Sequence, residues 1–365
     1  MRVAYLGGGT GGHLAPGIGV AEALGGGLRD TLFLVAGRPV ERAMLNPRQL
    51  RFVELFGDRG RPAPWRLDLW ARATGRLTRA LTDFEPDVLV VLGGWVALPA
   101  LWLPVVPGVR RRPLVLVEPN AVPGKVGRWL DKRVDFACLA RAGETMPRGR
   151  EDTAITGIPG PALTHWSREA AAARFGLQAQ RRTLLVTGGS QGARDINRLV
   201  PSLISLLADQ DSPWQVLHIT GPGSEAVSLG GAVPVVTTPF VDDMSAAWAL
   251  ADLALCRAGS GTCCELAASE TPAVLVPYPH HRDRHQEANA SELVARGAAL
   301  MVGPDDPSGA ATAPGLVCQA AAALPAMAAA ARSAASCDPA HSVAEVVRRA
   351  ARQPLQGAET MGQQS

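Results

Sequence analysis

Patterned cysteine, net charge and long apolar runs are what this 365-residue chain has least of, and each shortage removes a class of function. The six cysteines (Cys138, Cys256, Cys263, Cys264, Cys318 and Cys337) form no C-x-x-C pair and no zinc-ligand spacing. They read as reduced thiols of a cytoplasmic protein. A net charge of +3 is too small to imply a nucleic-acid partner. The longest apolar run, roughly 88–109, is interrupted by Gly93, Gly94, Pro99, Pro104 and Pro107, so it does not read as a membrane span. Residue 2 already enters a strand, with no basic n-region and no cleavable apolar stretch, and no targeting segment is expected. No short-period repeat is present. The only Asp-x-Asp, Asp209-Gln210-Asp211, falls in a turn after a helix, which argues against a sugar-nucleotide site built on a divalent metal.

What is present is an alternation of short apolar runs and amphipathic stretches, the pattern of parallel α/β sheets. The length favours two domains. Strands are expected near 2–6, 31–36, 51–55, 88–92, 114–117 and 135–139, then near 183–187, 215–219, 233–236, 252–256, 273–276 and 298–302. The Ala-rich stretch 310–335 suits a helix. A last helix, about 341–352, carries Val343, Val346 and Val347 on one face. The Pro/Gly break at 156–161 reads as a hinge, and the tail from Gln353 as disordered.

Two glycine-rich turns follow apolar strands half a chain apart: Gly7-Gly8-Gly9-Thr10-Gly11-Gly12-His13 and Gly188-Gly189-Ser190-Gln191-Gly192-Ala193. Glycine permits the tight turn, and the helix after it offers free N–H groups and a positive dipole end to an anion. Two such turns suggest two Rossmann-like halves facing each other across a cleft, in an enzyme that handles two phosphorylated substrates. Gly7–Gly12 also satisfies the dinucleotide fingerprint. The acidic residue expected after the second strand is replaced by Arg38, which keeps an NADP-dependent oxidoreductase open. His13, at a helix start, is either a neutral imidazole able to take a proton or a residue bonding a nearby carbonyl. Arg257-Ala258-Gly259-Ser260-Gly261-Thr262 reads as a third anion turn. Glu265 is expected in the first turn of its helix, holding ribose hydroxyls or serving the helix dipole. The loop Pro277–Asn289 faces the same cleft; its His280, His281 and His285 lack a carboxylate frame, and no metal is expected. The Trp- and Arg-rich segment 64–79 suits either a membrane interface or a helix with a solvated basic face.

Together these blocks resemble the MurG family of glycosyltransferase family 28. The specific ones are Gly8–His13, Gly188–Ala193, Phe240-Val241-Asp242-Asp243-Met244 and Asp283-Arg284-His285-Gln286 with Asn289, in family order from residue 2 to about 350. The resemblance implies an α/β GT-B fold with the last helix crossing back to the first domain. Residues 1–159 plus the helix 341–352 would form the acceptor- and membrane-binding domain, residues 160–340 the UDP-sugar domain, and 353–365 the disordered tail. It further implies inverting transfer of N-acetylglucosamine from UDP-N-acetylglucosamine to lipid I without a cofactor. The work would take place peripherally at the inner leaflet of the cytoplasmic membrane, alongside cell-wall synthesis and division proteins. By matching position, His13 and Glu118 are base candidates. Thr10, Gly11, Gly12 and Gly94 belong to the acceptor side, and Asn120 lies near the transferred sugar. Ser190, Ser260, Gly261 and Thr262 meet phosphates, Val241 and Met244 the uracil, Glu265 the ribose, and Gln286 and Asn289 the sugar region. The chain departs from the family pattern at Val117, Pro119, Pro161 and Trp95. Transfer to another lipid acceptor, 2-epimerisation of the donor, and a non-catalytic UDP-sugar-binding scaffold are the competing readings.

Overall fold

The computed structural model describes residues 1–9, 11–25, 27, 29–57, 61–105, 111–131, 133–141, 152–210, 212–223, 233–280, 283–306, 308–309, 311–334 and 338–353. The chain divides into two compact units, Met1–Pro161 with Asp338–Ser365, and Ala162–Cys337.

In the first unit, β1 (Val3–Leu6), β2 (Thr31–Val35), β3 (Phe52–Glu54), β4 (Val88–Val91), β5 (Leu114–Glu118), β6 (Phe136–Leu139) and β7 (Thr153–Ile155) pair in parallel in the order 3-2-1-4-5-6-7. The helices are α1 (Gly11–Leu24), α2 (Pro39–Leu45), α3 (Leu67–Phe84) and α4 (Lys125–Asp131), with a 3-10 stretch at Trp95–Val105. Successive strand residues point to opposite faces. Thus Val3, Tyr5, Phe33, Val35 and Val90 join Leu14 and Ile18 of α1 in one core layer. Ala4, Leu6, Leu34, Leu89 and Val91 join Leu77, Leu81 and Phe84 of α3 in the other. Burial on both faces is why these strands read as continuous apolar runs.

The second unit contains α5 (Arg168–Phe175), β8 (Arg182–Thr187), α6 (Arg194–Asn197), α7 (Val200–Ala208), β9 (Trp214–Ile219), β10 (Val235–Thr238) and α8 (Met244–Leu250). It continues with β11 (Leu253–Cys256), α9 (Ser260–Ser269), β12 (Ala273–Leu275), α10 (His285–Ala295), β13 (Ala299–Met301), α11 (Ala313–Ala322) and α12 (Leu324–Ala334). Its parallel sheet runs 10-9-8-11-12-13. The Ala-rich stretch is two helices bent by 85°, not one. Pro325 lacks the N–H that would bond Ala321 and crowds that carbonyl, so the helix restarts there.

The final helix, α13 (Pro339–Arg352), belongs to the first unit. Asp338 caps it, accepting from the Ala340 and His341 N–H groups at 3.0 and 3.1 Å. Val343, Val346 and Val347 are buried in the same core layer as α1.

Strand order reverses between β1 and β4 in one unit and between β8 and β11 in the other. In open α/β sheets ligands bind beyond the carboxyl ends of the strands at this switch point. The turns after these four strands carry the glycine-rich motifs.

Candidate active site

After β1 the chain turns through Gly8 (φ +141°) and Gly9 (φ +88°) before α1 begins at Gly11. The turn is pinned by Glu41 of α2, a fully buried carboxylate. It accepts the N–H groups of Gly9 at 2.7 Å, Ala36 at 3.3 Å, Gly37 at 2.7 Å and Arg38 at 2.7 Å. A Cβ on Gly8 would stand 2.2 Å from Glu41 Oε1. Thr10 lies outside the described residues; Gly11, Gly12 and His13 are the first three residues of α1.

The ends of β1, β4 and β5 bring His13, Gly94 and Glu118 together. A Cβ on Gly94 would lie 3.4 Å from His13 Cδ2, and one on Gly93 would lie 3.9 Å from both His13 Cδ2 and Glu118 Oε2. His13 is half-buried, whereas Glu118 is only 4% exposed. Glu118 Oε1 accepts from Asn120 N at 3.1 Å and Asn120 Nδ2 at 3.2 Å. Its Oε2 fills the space a side chain at 127 would need, 2.4 Å from a Cβ built on Gly127. Burial pushes the Glu118 carboxyl up to about 7, and the Asn120 donors oppose that rise.

In the second unit the turn after β8 presents Ser190 to solvent between Gly189 (φ +81°) and Gly192 (φ +71°). The helix after it, α6, has only four residues. Pro201, near the start of α7, lacks the N–H that would bond the Asn197 carbonyl, so α6 does not run on into α7. The turn after β11 begins with buried Arg257, paired with Asp195 of α6 at 2.5 and 2.7 Å. The same guanidinium donates to the Val276 and Pro277 carbonyls at 3.1 and 3.2 Å, tying three strand-end loops together.

α9 starts at Ser260, and its N-cap, Gly259, supplies no side-chain acceptor. The first N–H groups, on Ser260, Gly261 and Thr262, therefore have no side-chain cap. Glu265 is the sixth residue of α9, in its second turn and not its first, beyond the reach of most of the dipole effect. Its Oε2 accepts from the Trp248 indole at 2.9 Å. Burial pushes its carboxyl up to about 7, and the indole N–H acts against that. Val241 is buried, and Met244 is the first residue of α8. Gln286 Oε1 accepts from Tyr278 N at 2.8 Å. Asn289, 5% exposed, donates to Ala258 O at 3.3 Å and so braces the turn before α9. His281 lies outside the described residues. Among the described residues no three potential metal ligands cluster.

Residues 3–138 match the glycosyltransferase family 28 N-terminal domain and residues 183–310 the family 28 C-terminal domain. The chain belongs to glycosyltransferase family 28.

Two relatives of this family 28 chain carry the name UDP-N-acetylglucosamine–N-acetylmuramyl-(pentapeptide) pyrophosphoryl-undecaprenol N-acetylglucosamine transferase. The one from Bordetella parapertussis is 37% identical over 82% of this chain and 84% of its own length. The one from Burkholderia pseudomallei is 35% identical over 96% of this chain and 97% of its own. The crystal structure of Acinetobacter baumannii MurG superposes with a TM-score of 0.66 at 24% identity, covering 96% of this chain and all of that one. The glycosyltransferase SnogD from Streptomyces nogalater gives 0.61 at 19% identity, covering 96% and 99%. The fold is GT-B, as the motif resemblance implied.

The Trp/Arg segment of this family 28 chain is divided in its roles. Trp70 is buried, edge-on to Phe56 and Trp95 with ring centroids 5.3 and 6.4 Å away. Trp65 and Leu67, by contrast, are 79% and 72% exposed; Arg66 precedes α3 as its N-cap, and Arg72, Arg76 and Arg79 line its exposed side.

Proposed function

We propose that the chain transfers N-acetylglucosamine from UDP-N-acetylglucosamine to N-acetylmuramyl-(pentapeptide) pyrophosphoryl-undecaprenol, lipid I, with inversion at the anomeric carbon. The observation that carries this reading is likeness to relatives of that name along nearly the whole chain, through the turns of both units. The donor belongs to the second unit. Its diphosphate meets the first amides of α9, the Thr262 hydroxyl and Ser190, which stabilise the charge on departing UDP. Glu265 takes the ribose, Val241 and Met244 flank the base, and Gln286 with Asn289 serves the sugar side.

The acceptor belongs to the first unit, at Gly11, Gly12 and Gly94, with Thr10 assigned there by motif alone. A general base must touch the attacking hydroxyl, and half-buried His13 meets that requirement better than enclosed Glu118. Once ionised, Glu118 favours the imidazolium that forms when His13 takes the proton. Asn120 fixes the orientation of that carboxylate.

Trp65 and Leu67, flanked by arginines, form an anchor for an anionic membrane surface. No single helix among the described residues is long and apolar enough to cross a membrane.

The test is transfer of labelled N-acetylglucosamine to a lipid I analogue, with diacylglycerol as a parallel acceptor. Label on lipid I supports the reading; label on diacylglycerol alone moves the chain to a different acceptor class. Replacing His13 with Ala should lower kcat about 10²- to 10⁴-fold and leave UDP affinity unchanged. Equal losses in both would remove His13 as the base.

A further inference from the structure

We infer that Trp248 is a positioning residue of the donor site: its indole holds Glu265 facing the ribose, and so sets the preference for a ribonucleotide over its 2′-deoxy counterpart. The inference rests on the proposed assignment of Glu265 to the ribose. Glu265 has a flexible side chain, and accepting sugar hydroxyls requires its carboxylate to be held in one orientation. The Trp248 Nε1–H at 2.9 Å from Oε2 is the hydrogen bond that does so; Glu265 makes no other among the described residues. Oε1 is left to accept from a ligand.

The donor of that bond is itself rigid. Trp248 is 2% exposed, with Ala246, Ala247 and Leu250 of the same helix also buried. Asp243 caps α8 by accepting from Ser245 N at 3.0 Å, and it also accepts from Trp166 Nε1 at 2.9 Å. Trp248 is enclosed, so its N–H is a fixed donor, and losing it leaves the Glu265 carboxylate without the one partner among the described residues that orients it. The indole also favours the ionised carboxylate, which can only accept, over the acid, which burial promotes. A tryptophan placed only for packing would need its ring but not its N–H.

Calorimetric titration of UDP and 2′-deoxy-UDP into the full chain at pH 8 separates these roles. The wild type should bind UDP about 10- to 100-fold more tightly than 2′-deoxy-UDP, because the deoxy ligand leaves the Glu265 acceptor unpaired. Trp248→Phe keeps a ring and removes the donor. It should bring the two affinities within about threefold of each other, by weakening UDP and leaving 2′-deoxy-UDP nearly unchanged. Trp248→Tyr, whose O–H can donate, should restore most of the discrimination. Parallel weakening of both nucleotides in the Phe variant, with the wild-type ratio preserved, would overturn the role of Trp248. A wild-type ratio near one would instead remove Glu265 from the ribose 2′-hydroxyl, and the inference with it.

Discussion

Glu118→Gln tests whether the enclosed carboxyl resists ionisation. In the unfolded chain the group titrates near 4.5, and in the folded protein burial raises this to about 7. The folded state therefore binds the proton more tightly. Below pH 4.5 both states are protonated and there is no penalty. Between 4.5 and 7 the unfolded chain ionises first, and the fold loses stability steadily. Above 7 the loss is complete, on the order of 3 kcal/mol at about 1.4 kcal/mol per pH unit. Glutamine is neutral throughout and keeps an oxygen for the two Asn120 donors. Its NH2 cannot accept from the Gly124 backbone N–H that the carboxylate also engages, a cost of about 1 kcal/mol that does not vary with pH. The absolute difference between the proteins is thus less informative than its change with pH. Scanning calorimetry at pH 5 and pH 8 should show Glu118→Gln gaining roughly 5–10 °C on the wild type over that interval, at about 2–4 °C per kcal/mol for a unit of this size. A difference that stays within about 1 °C would refute the argument.

Gly127→Ala places a methyl 2.4 Å from Glu118 Oε2. It should cost about 1–3 kcal/mol in melting experiments and lower transfer without weakening UDP binding; an unchanged protein would mean that Glu118 has room to move. Glu41→Gln trades one oxygen for a donor facing N–H groups, and a loss of about 2–3 kcal/mol is expected in chemical denaturation; stability within experimental error of wild type would argue against the clamp. Serine at both Trp65 and Leu67 should reduce flotation with anionic liposomes by more than tenfold, each apolar side chain contributing about 1.5–3 kcal/mol when inserted. The melting temperature should hold, since both side chains already face solvent; retained flotation would rule out this anchor.

The strands flanking the glycine turns were legible in the sequence because parallel strands buried on both faces are uninterrupted apolar runs. β7 was not: Thr153–Ile155 is short and partly exposed, with no such run to mark it. Helix breaks were legible only as far as proline was weighed. Pro201 separates α6 from α7, and Pro325 separates α11 from α12, though the residues around each suit a continuous helix. The glycine turns, His13 and Glu265 announce themselves as motifs. Glu41, Gly127 and Trp248 do not, because their importance lies in what they touch. Glu41 acts on a turn 32 residues earlier, and Trp248 on a carboxylate 17 residues later. The local sign of the Glu41 clamp was a capping-box offset from Arg38, with an arginine where a small hydroxyl residue usually marks the position.

That clamp bears on what the first glycine turn can be used for. A turn matching the dinucleotide fingerprint is ordinarily vacant, and its amides wait for a cofactor's pyrophosphate. Here the Gly9 amide already has a resident anion, carried by the protein on its own helix. An incoming nicotinamide dinucleotide would have to displace a carboxylate that also holds three other amides, and would meet its negative charge on the way. At Gly9 the fingerprint has become a structural joint, and the NADP-dependent reading that Arg38 kept open loses that amide to a residue three positions further along.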